Sequence, residues 1–328
     1  MKNSQTYILV PVSCAFLMLA SSALHIGCSS DSSDDERDAG EDGGLPIPPP
    51  PEAGPGVDSN PPPPCDISKP FGAPVLVAGL ESNIDIARLT DDELTIYYNS
   101  FADTNHRDLL TAKRTDRTKP FGTAKPLTQL NSASNEAAAT ITGDDRNILF
   151  TSNRAGGGWQ IFWSQRSDPT LDFASPTQVT GFSAPGNLTD PAAFAGANGG
   201  IELWFRADGS GNGDLYVSTV TNGVASTAVA QTPLNSDSAN DLLPALSPDR
   251  LVVFFASDRQ GDGAKGGYDI WTAKRPTPID AFASVSNVAE LNGTSSEWPT
   301  WLSVDGCRLY LTSDRNAVQS TYVADRPK

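Results

Sequence analysis

The sequence predicts an all-β fold, a five-bladed β-propeller built from four-stranded blades. One pattern recurs along the chain. TITGDDRNILFTSNRAGGGWQIFWSQR from Thr140, LSPDRLVVFFASDRQGDGAKGGYDIWTAKR from Leu246 and LSVDGCRLYLTSDRNAVQSTYVADR from Leu302 share a frame, and weaker copies begin at Leu89 and Asn198. The residue closing each apolar run falls at Ser100, Ser152, Ala207, Ser257 and Ser313, giving steps of 52, 55, 50 and 56 residues. Steps of that size, filled with short apolar runs and turns rich in Gly and Asp, suit one blade per repeat.

The fourth repeat shows the elements in order. Its strands are expected at 242–247, 251–257, 268–274 and near 285–291, the first two joined by the turn dipeptide Pro248–Asp249. The second and third are joined by SDRQGDGAKGGYD, whose glycines permit positive φ and whose aspartates bond their own backbone, with an Asp–Arg contact pinning the loop. The triplet recurs as Ser152–Asn153–Arg154, Ser257–Asp258–Arg259 and Ser313–Asp314–Arg315. A single active site has no need of three copies, so the charged loop reads as blade architecture. The fifth repeat ends after its third strand near Asp325, while APVLVAGL from Ala73 precedes the first repeat without a partner. That segment is expected to complete blade 5 and so remove both exposed edges.

These residues resemble the propeller repeats of the TolB family and related WD40-like (PD40) repeats, in which SPDG, an apolar run, SDR, Gly and D-[LI]-[YW] recur. The matching parts are Ser247–Pro248–Asp249, Ser257–Asp258–Arg259, Asp214–Leu215–Tyr216 and Asp269–Ile270–Trp271. The resemblance runs from about residue 70 to the end and implies the propeller fold. TolB itself has six blades and an N-terminal α/β domain, where this chain has five repeats and a polar stalk.

Three segments are expected: 1–27, 28–67 and 68–328. The first has a basic start at Lys2, a short apolar core and small residues up to Cys28. It resembles a bacterial lipoprotein signal, which implies lipidation of Cys28; ordinary signal cleavage would leave that cysteine a free thiol. Residues 29–64 carry nine acids against Arg37 alone, followed by proline runs, too few apolar side chains to offset conformational entropy. This reads as a disordered stalk of about 35 Å as a coil and about 110 Å if polyproline-like.

The formal charge is −16, of which roughly −9 falls on the folded part. An acidic domain without a Lys/Arg cluster argues against nucleic acid and against an anionic membrane surface as partners. Of four cysteines, Cys65 and Cys307 remain after the signal and Cys28, and an isolated pair in an exported chain is a disulfide candidate.

His106 is the one histidine past the signal segment, so neither a multi-histidine metal site nor a Ser-His-Asp triad with a choice of base is available. No cofactor is expected. ADGSGNGD places Asp208, Ser210, Asn212 and Asp214 at alternate positions, like half a calcium loop, but Thr219 stands where the closing Glu belongs. A glycine-rich turn is the alternative.

Carboxylates remain. Glu136, Asp190, Asp241 and Glu297 are expected to precede the first strand of four repeats in one register, with Asp85 offset by one in the first repeat. First strands converge on a propeller axis, so these acids are expected to ring one channel mouth. Two carboxylates with separated pKa values could act there as in the five-bladed glycosidases of family 43. Because the acids recur with the repeat, the expected role is to cap each blade's own turn. Departures from the repeat point better to a ligand: Trp298 beside Glu297, Trp159 and Arg206. The sequence thus predicts an exported envelope propeller, monomeric and lipid-anchored at the outer membrane, binding a protein or glycan. The alternative is a glycoside hydrolase or carbohydrate-binding domain.

Overall fold

The computed structural model describes residues 65–103, 106–209 and 211–328; the expected signal segment, Cys28 and the linker through Pro64 lie outside these residues. A short strand, β1 (Val75–Leu76), comes first. Blade 1 follows with β2 (Ile84–Leu89), β3 (Thr95–Asp103), β4 (His106–Lys113) and β5 (Lys125–Pro126). Blade 2 holds β6 (Glu136–Ile141), β7 (Asn147–Ser152), β8 (Gln160–Gln165) and β9 (Thr177–Gln178). Blade 3 holds β10 (Leu188–Ala195), β11 (Ile201–Ala207) and β12 (Asp214–Thr221), whose outer edge pairs with both β13 (Val224–Ala225) and β14 (Val229–Ala230). Blade 4 holds β15 (Asp241–Leu246), β16 (Val252–Ser257), β17 (Asp269–Lys274) and β18 (Ala283–Asn287). Blade 5 holds β19 (Glu297–Leu302), β20 (Arg308–Ser313) and β21 (Ser320–Asp325), and β1 is its outermost strand.

The expected mixed blade is therefore present, with Val75 opposite Val323 and Leu76 opposite Tyr322. Cys65 and Cys307 form the expected disulfide across it, their Cα atoms 5.7 Å apart. In the chain-entropy account, a bridge spanning so much of the chain stabilises the fold by about 5 kcal/mol.

The core lies in the seams between blades. Tyr97 and Leu109 of blade 1 pack on Ile148 and Phe150 of blade 2, and Leu149 and Ile161 meet Leu203 and Phe205 of blade 3. Trp204 meets Phe255 and Trp271, Phe254 meets Leu309 and Leu311, and Tyr310 closes the ring on Ile96 and Tyr98. Each fully buried side chain of this size contributes about 1.5–3 kcal/mol by leaving water. The alternating side chains of a strand make this possible, since both faces of a middle strand are covered by a neighbouring blade.

Two features differ from the sequence reading. The fourth strand of blade 4 ends at Asn287, because Val288 and Leu291 make a turn that buries both in the core rather than continuing the strand. A further repeat also emerges: Arg114 lies over Phe121, Arg166 over Phe173, Arg275 over Phe282 and Arg326 over Phe71, at 4.6, 4.3, 4.4 and 4.1 Å. Cation–π contacts of this kind fasten the edges of blades 1, 2, 4 and 5.

Candidate functional site

Three first strands begin with a wholly buried acid, Glu136, Asp241 and Glu297. Each lies opposite the serine that closes the second strand, Ser152, Ser257 and Ser313. Two residues past the serine, the arginine of the recurring triplet folds back. Its Nε donates to the serine Oγ at 3.0, 2.9 and 3.1 Å in Arg154, Arg259 and Arg315. Its Nη2 reaches the acid at 2.9, 2.5 and 3.3 Å. Backbone N–H groups of Ser132, Ser236 and Gly293 donate to the same carboxylates. Such a clasp pairs the charge and satisfies its lone pairs, the condition under which a buried ion pair is tolerated. The arginine thus pairs with the strand acid and not, as expected, with the aspartate of its own triplet; Asp258 instead accepts from the Asn240 N–H and Asp314 from that of Ser296. Glu297, an expected ligand contact, is held inside its clasp.

Blades 1 and 3 lack the clasp. Ile84 and Leu188 occupy the acid's register, opposite Ser100 and Ala207. With Ala207 and Gly209 standing where the serine and arginine belong, an acid at Leu188 would be buried unpaired. Asp190 is therefore not in register with the other three. It falls two residues later, at a bulge where it shares a positive φ of 57° with Ala138 (53°) and Leu243 (54°).

The charges of these two blades line one cavity of about 400 Å³, walled by Asp85, Arg107, Trp159, Asp190, Arg206 and Tyr268. Asp85 lies 3.7 Å from Arg107 and keeps 24% of its side chain open; burial raises its pKa and Arg107 opposes. Asp190 is only 9% exposed. Burial pushes its pKa up to about 6, opposed by Arg206, reinforced by Asp85 and opposed again by Arg88. Among the described residues no basic nitrogen lies within 4.0 Å of the Asp190 carboxylate. Arg206, opposite Thr189 in the neighbouring strand, is held away from Asp190. It lies over Gly213, where a Cβ would come within 1.9 Å of Nε, and its Nη2 reaches Asn240 Oδ1 at 3.5 Å. Its Nε is buried without a hydrogen-bond partner among the described residues.

Below this cavity Arg88 spans the axis. It is 3% exposed and approaches the Pro244 carbonyl of blade 4 at 3.4 and 3.5 Å. Burial lowers its pKa to about 10, with Asp190 opposing. A second cavity of about 180 Å³ begins on its far side. Trp298 stands behind the mouth, packed with Ile86, Ala137 and Leu243, its ring centroid 6.0 Å from that of Tyr268.

The structure thus brings Asp190, Trp159 and Arg206 together, with Trp298 at their back, and removes Glu136, Asp241 and Glu297. Arg88, Arg107 and Tyr268 were missed. Arg88 was findable, because the same register position holds Thr140, Ala192, Ala245 and Trp301 in the other blades. Asp208 accepts hydrogen bonds from Asn187, and Asn212 donates to the Asp237 carbonyl; Ser210 lies outside the described residues. No cluster of three or more metal-binding side chains occurs among the described residues. His106 is exposed at the start of β4. A larger cavity of about 510 Å³, with Phe71, Val252 and Phe254 in its wall, lies by the turn between β15 and β16. None of the residues that wall the channel mouth lines it.

No protein-family profile and no curated protein matches the sequence. Solved structures do resemble the fold. TolB from Acinetobacter baumannii aligns with a TM-score of 0.44 and 18% identity over 75% of this chain, which spans 56% of the TolB chain. A thermostable family-43 glycoside hydrolase gives 0.49 and 12%, covering 76% of this chain and 90% of that one. A Parabacteroides distasonis protein provisionally assigned as a glycoside hydrolase gives 0.50 and 12%, covering 79% and 93%. Likenesses at this identity speak to architecture alone. The strand order and the closed ring of seams make the chain a five-bladed β-propeller.

Proposed function

We propose that the chain is an exported binding module of the cell envelope, anchored by a lipid on Cys28, that takes its ligand at the channel mouth. The observation that carries this reading is the gathering of unclasped charges and aromatic side chains around one cavity, in the two blades that abandon the repeat. Cavities of a few hundred Å³ with a few convergent polar groups are the usual form of a small-ligand site. Export and anchoring are supported by the lipoprotein-type segment ending at Cys28 and by the Cys65–Cys307 bridge.

A second reading is glycoside hydrolysis. It is favoured by one fact: Asp85 and Asp190 share a cavity, and Asp190 has a pKa near that of a general acid. Against it, the acids that recur across the repeats are locked in clasps. The test is a pair of assays on the full chain. Hydrolysis of aryl glycosides and plant polysaccharides is expected to be absent. Binding of a ligand found by screening is expected to fall when Asp190→Asn is introduced. Hydrolysis abolished by that change, with the melting temperature intact, would promote the second reading.

A further inference from the structure

The mouth holds an acceptor and a donor set side by side and kept apart. Asp190 and Arg206 belong to neighbouring strands of blade 3, one residue out of register, yet form no ion pair within 4.0 Å. Two opposite charges so placed would normally collapse onto one another, because a buried carboxylate and a guanidinium N–H each lose free energy when unpaired. Here Gly213 and Asn240 hold the guanidinium back. A neutral ligand group such as a diol could be met by neutral amides without burying charge of both signs. A complement that neutralises both charges as well as meeting their hydrogen bonds carries its own pair of charges at short separation.

The rest of the wall supports the same conclusion. Asp85 and Arg107 already pair across 3.7 Å, so the far side of the cavity adds no net charge. An apolar and aromatic wall of Ala137, Ala138, Trp159, Leu242 and Tyr268 stands between the two couples, while the polar remainder includes Asn187 and Asp208, which bond one another. The volume of about 400 Å³ holds a single large side chain and its head group.

We propose that the channel mouth takes a free α-amino acid with an apolar or aromatic side chain, its carboxylate on Arg206 and its ammonium on Asp190. This rests on the channel mouth being the ligand site. The side chain lies against Trp159, Leu242 and Tyr268. Gly213 acts as a positioning residue, since any larger residue displaces the Arg206 side chain.

The test titrates the full chain calorimetrically with tryptophan, phenylalanine and leucine, with their α-amides and N-acetyl derivatives, and with neutral oligosaccharides. The free amino acids are expected to bind, and each blocked form to lose about tenfold or more, the usual penalty for leaving a buried polar group unmatched. Arg206→Gln should weaken the free amino acid but leave the α-amide nearly unchanged. Asp190→Asn should do the same for the N-acetyl form. Gly213→Ala should behave like Arg206→Gln, and melting curves verify that each variant folds. Asp190-dependent binding of oligosaccharides and not of amino acids overturns the ligand class and leaves the mouth as the site. Amino-acid binding indifferent to all three changes overturns the assignment of the site itself.

Discussion

Blades 2, 4 and 5 and blades 1 and 3 share strand order, register and seam packing, but treat charge in opposite ways. In the first group a carboxylate, a serine and an arginine close on one another within a single blade. In the second group the acid's register holds Ile84 or Leu188, and acids and arginines appear instead on the axis. The difference separates two uses of the same residue types. A charge that recurs with the repeat is satisfied inside its repeat and holds the blade together. A charge that breaks the pattern has no clasp built for it: Asp85 keeps a looser contact with Arg107 at 3.7 Å, and both stay partly open to the cavity.

The comparison can be broken most sharply at a clasp. Arg154→Ala leaves Glu136 buried without its cation and is expected to lower stability by about 3–5 kcal/mol, measured by chemical unfolding. Glu136→Ala should cost a comparable amount, and the double change less than the sum of the two. A loss under about 1 kcal/mol would show that the clasp is ornamental.

Asp190→Asn should act the other way. The folded-state pKa of Asp190 lies above its unfolded value, at about 6 against 3.8, so the folded state holds the proton more tightly. Its contribution to stability is therefore greatest below about pH 4 and is lost as the pH rises towards and through 6, where the buried carboxylate must ionise. The groups that face it are Arg206, Asp85 and Arg88. Removing the charge should stabilise the protein at pH 8 by up to about 3 kcal/mol and leave it unchanged at pH 3.5. Thermal melts at the two pH values test the sign. A lower melting temperature for the variant than for the parent at pH 8 would place Asp190 in the clasped class.

The smallest effect belongs to the partly open pair. Asp85 and Arg107 keep 24% and 34% of their side chains exposed, so Arg107→Gln is expected to change stability by less than about 1 kcal/mol. Its effect on ligand binding should exceed its effect on the melting temperature.

Most of the fold was legible because apolar runs, turn dipeptides and a repeat of 50–56 residues all pointed to the same strands. The mixed blade followed from counting strands and the disulfide from counting cysteines. The SKPFG of 68–72 and the TKPFG of 118–122 carried the edge contact in plain view, yet were passed over because one copy precedes the first complete repeat. The candidate site was legible only in part. Asp190 looked like a fourth copy of Glu136 because the first and second strands of blade 3 are joined by three more residues than those of blade 2, Leu188 facing Ala207 where Glu136 faces Ser152, so spacing along the chain misplaces the register by two residues. Trp159 and Arg206 were found as departures from the repeat. Arg107 and Tyr268 were not, since they stand where the third strand begins, after connections whose lengths differ from blade to blade.

Arg88 gives the propeller a sense of direction. Its guanidinium reaches from blade 1 to the backbone of blade 4 and stands between the two cavities. The central passage is therefore a cul-de-sac with one door. Whatever occupies it must leave by the way it came, and a long polymer cannot be threaded through; it can offer only an end.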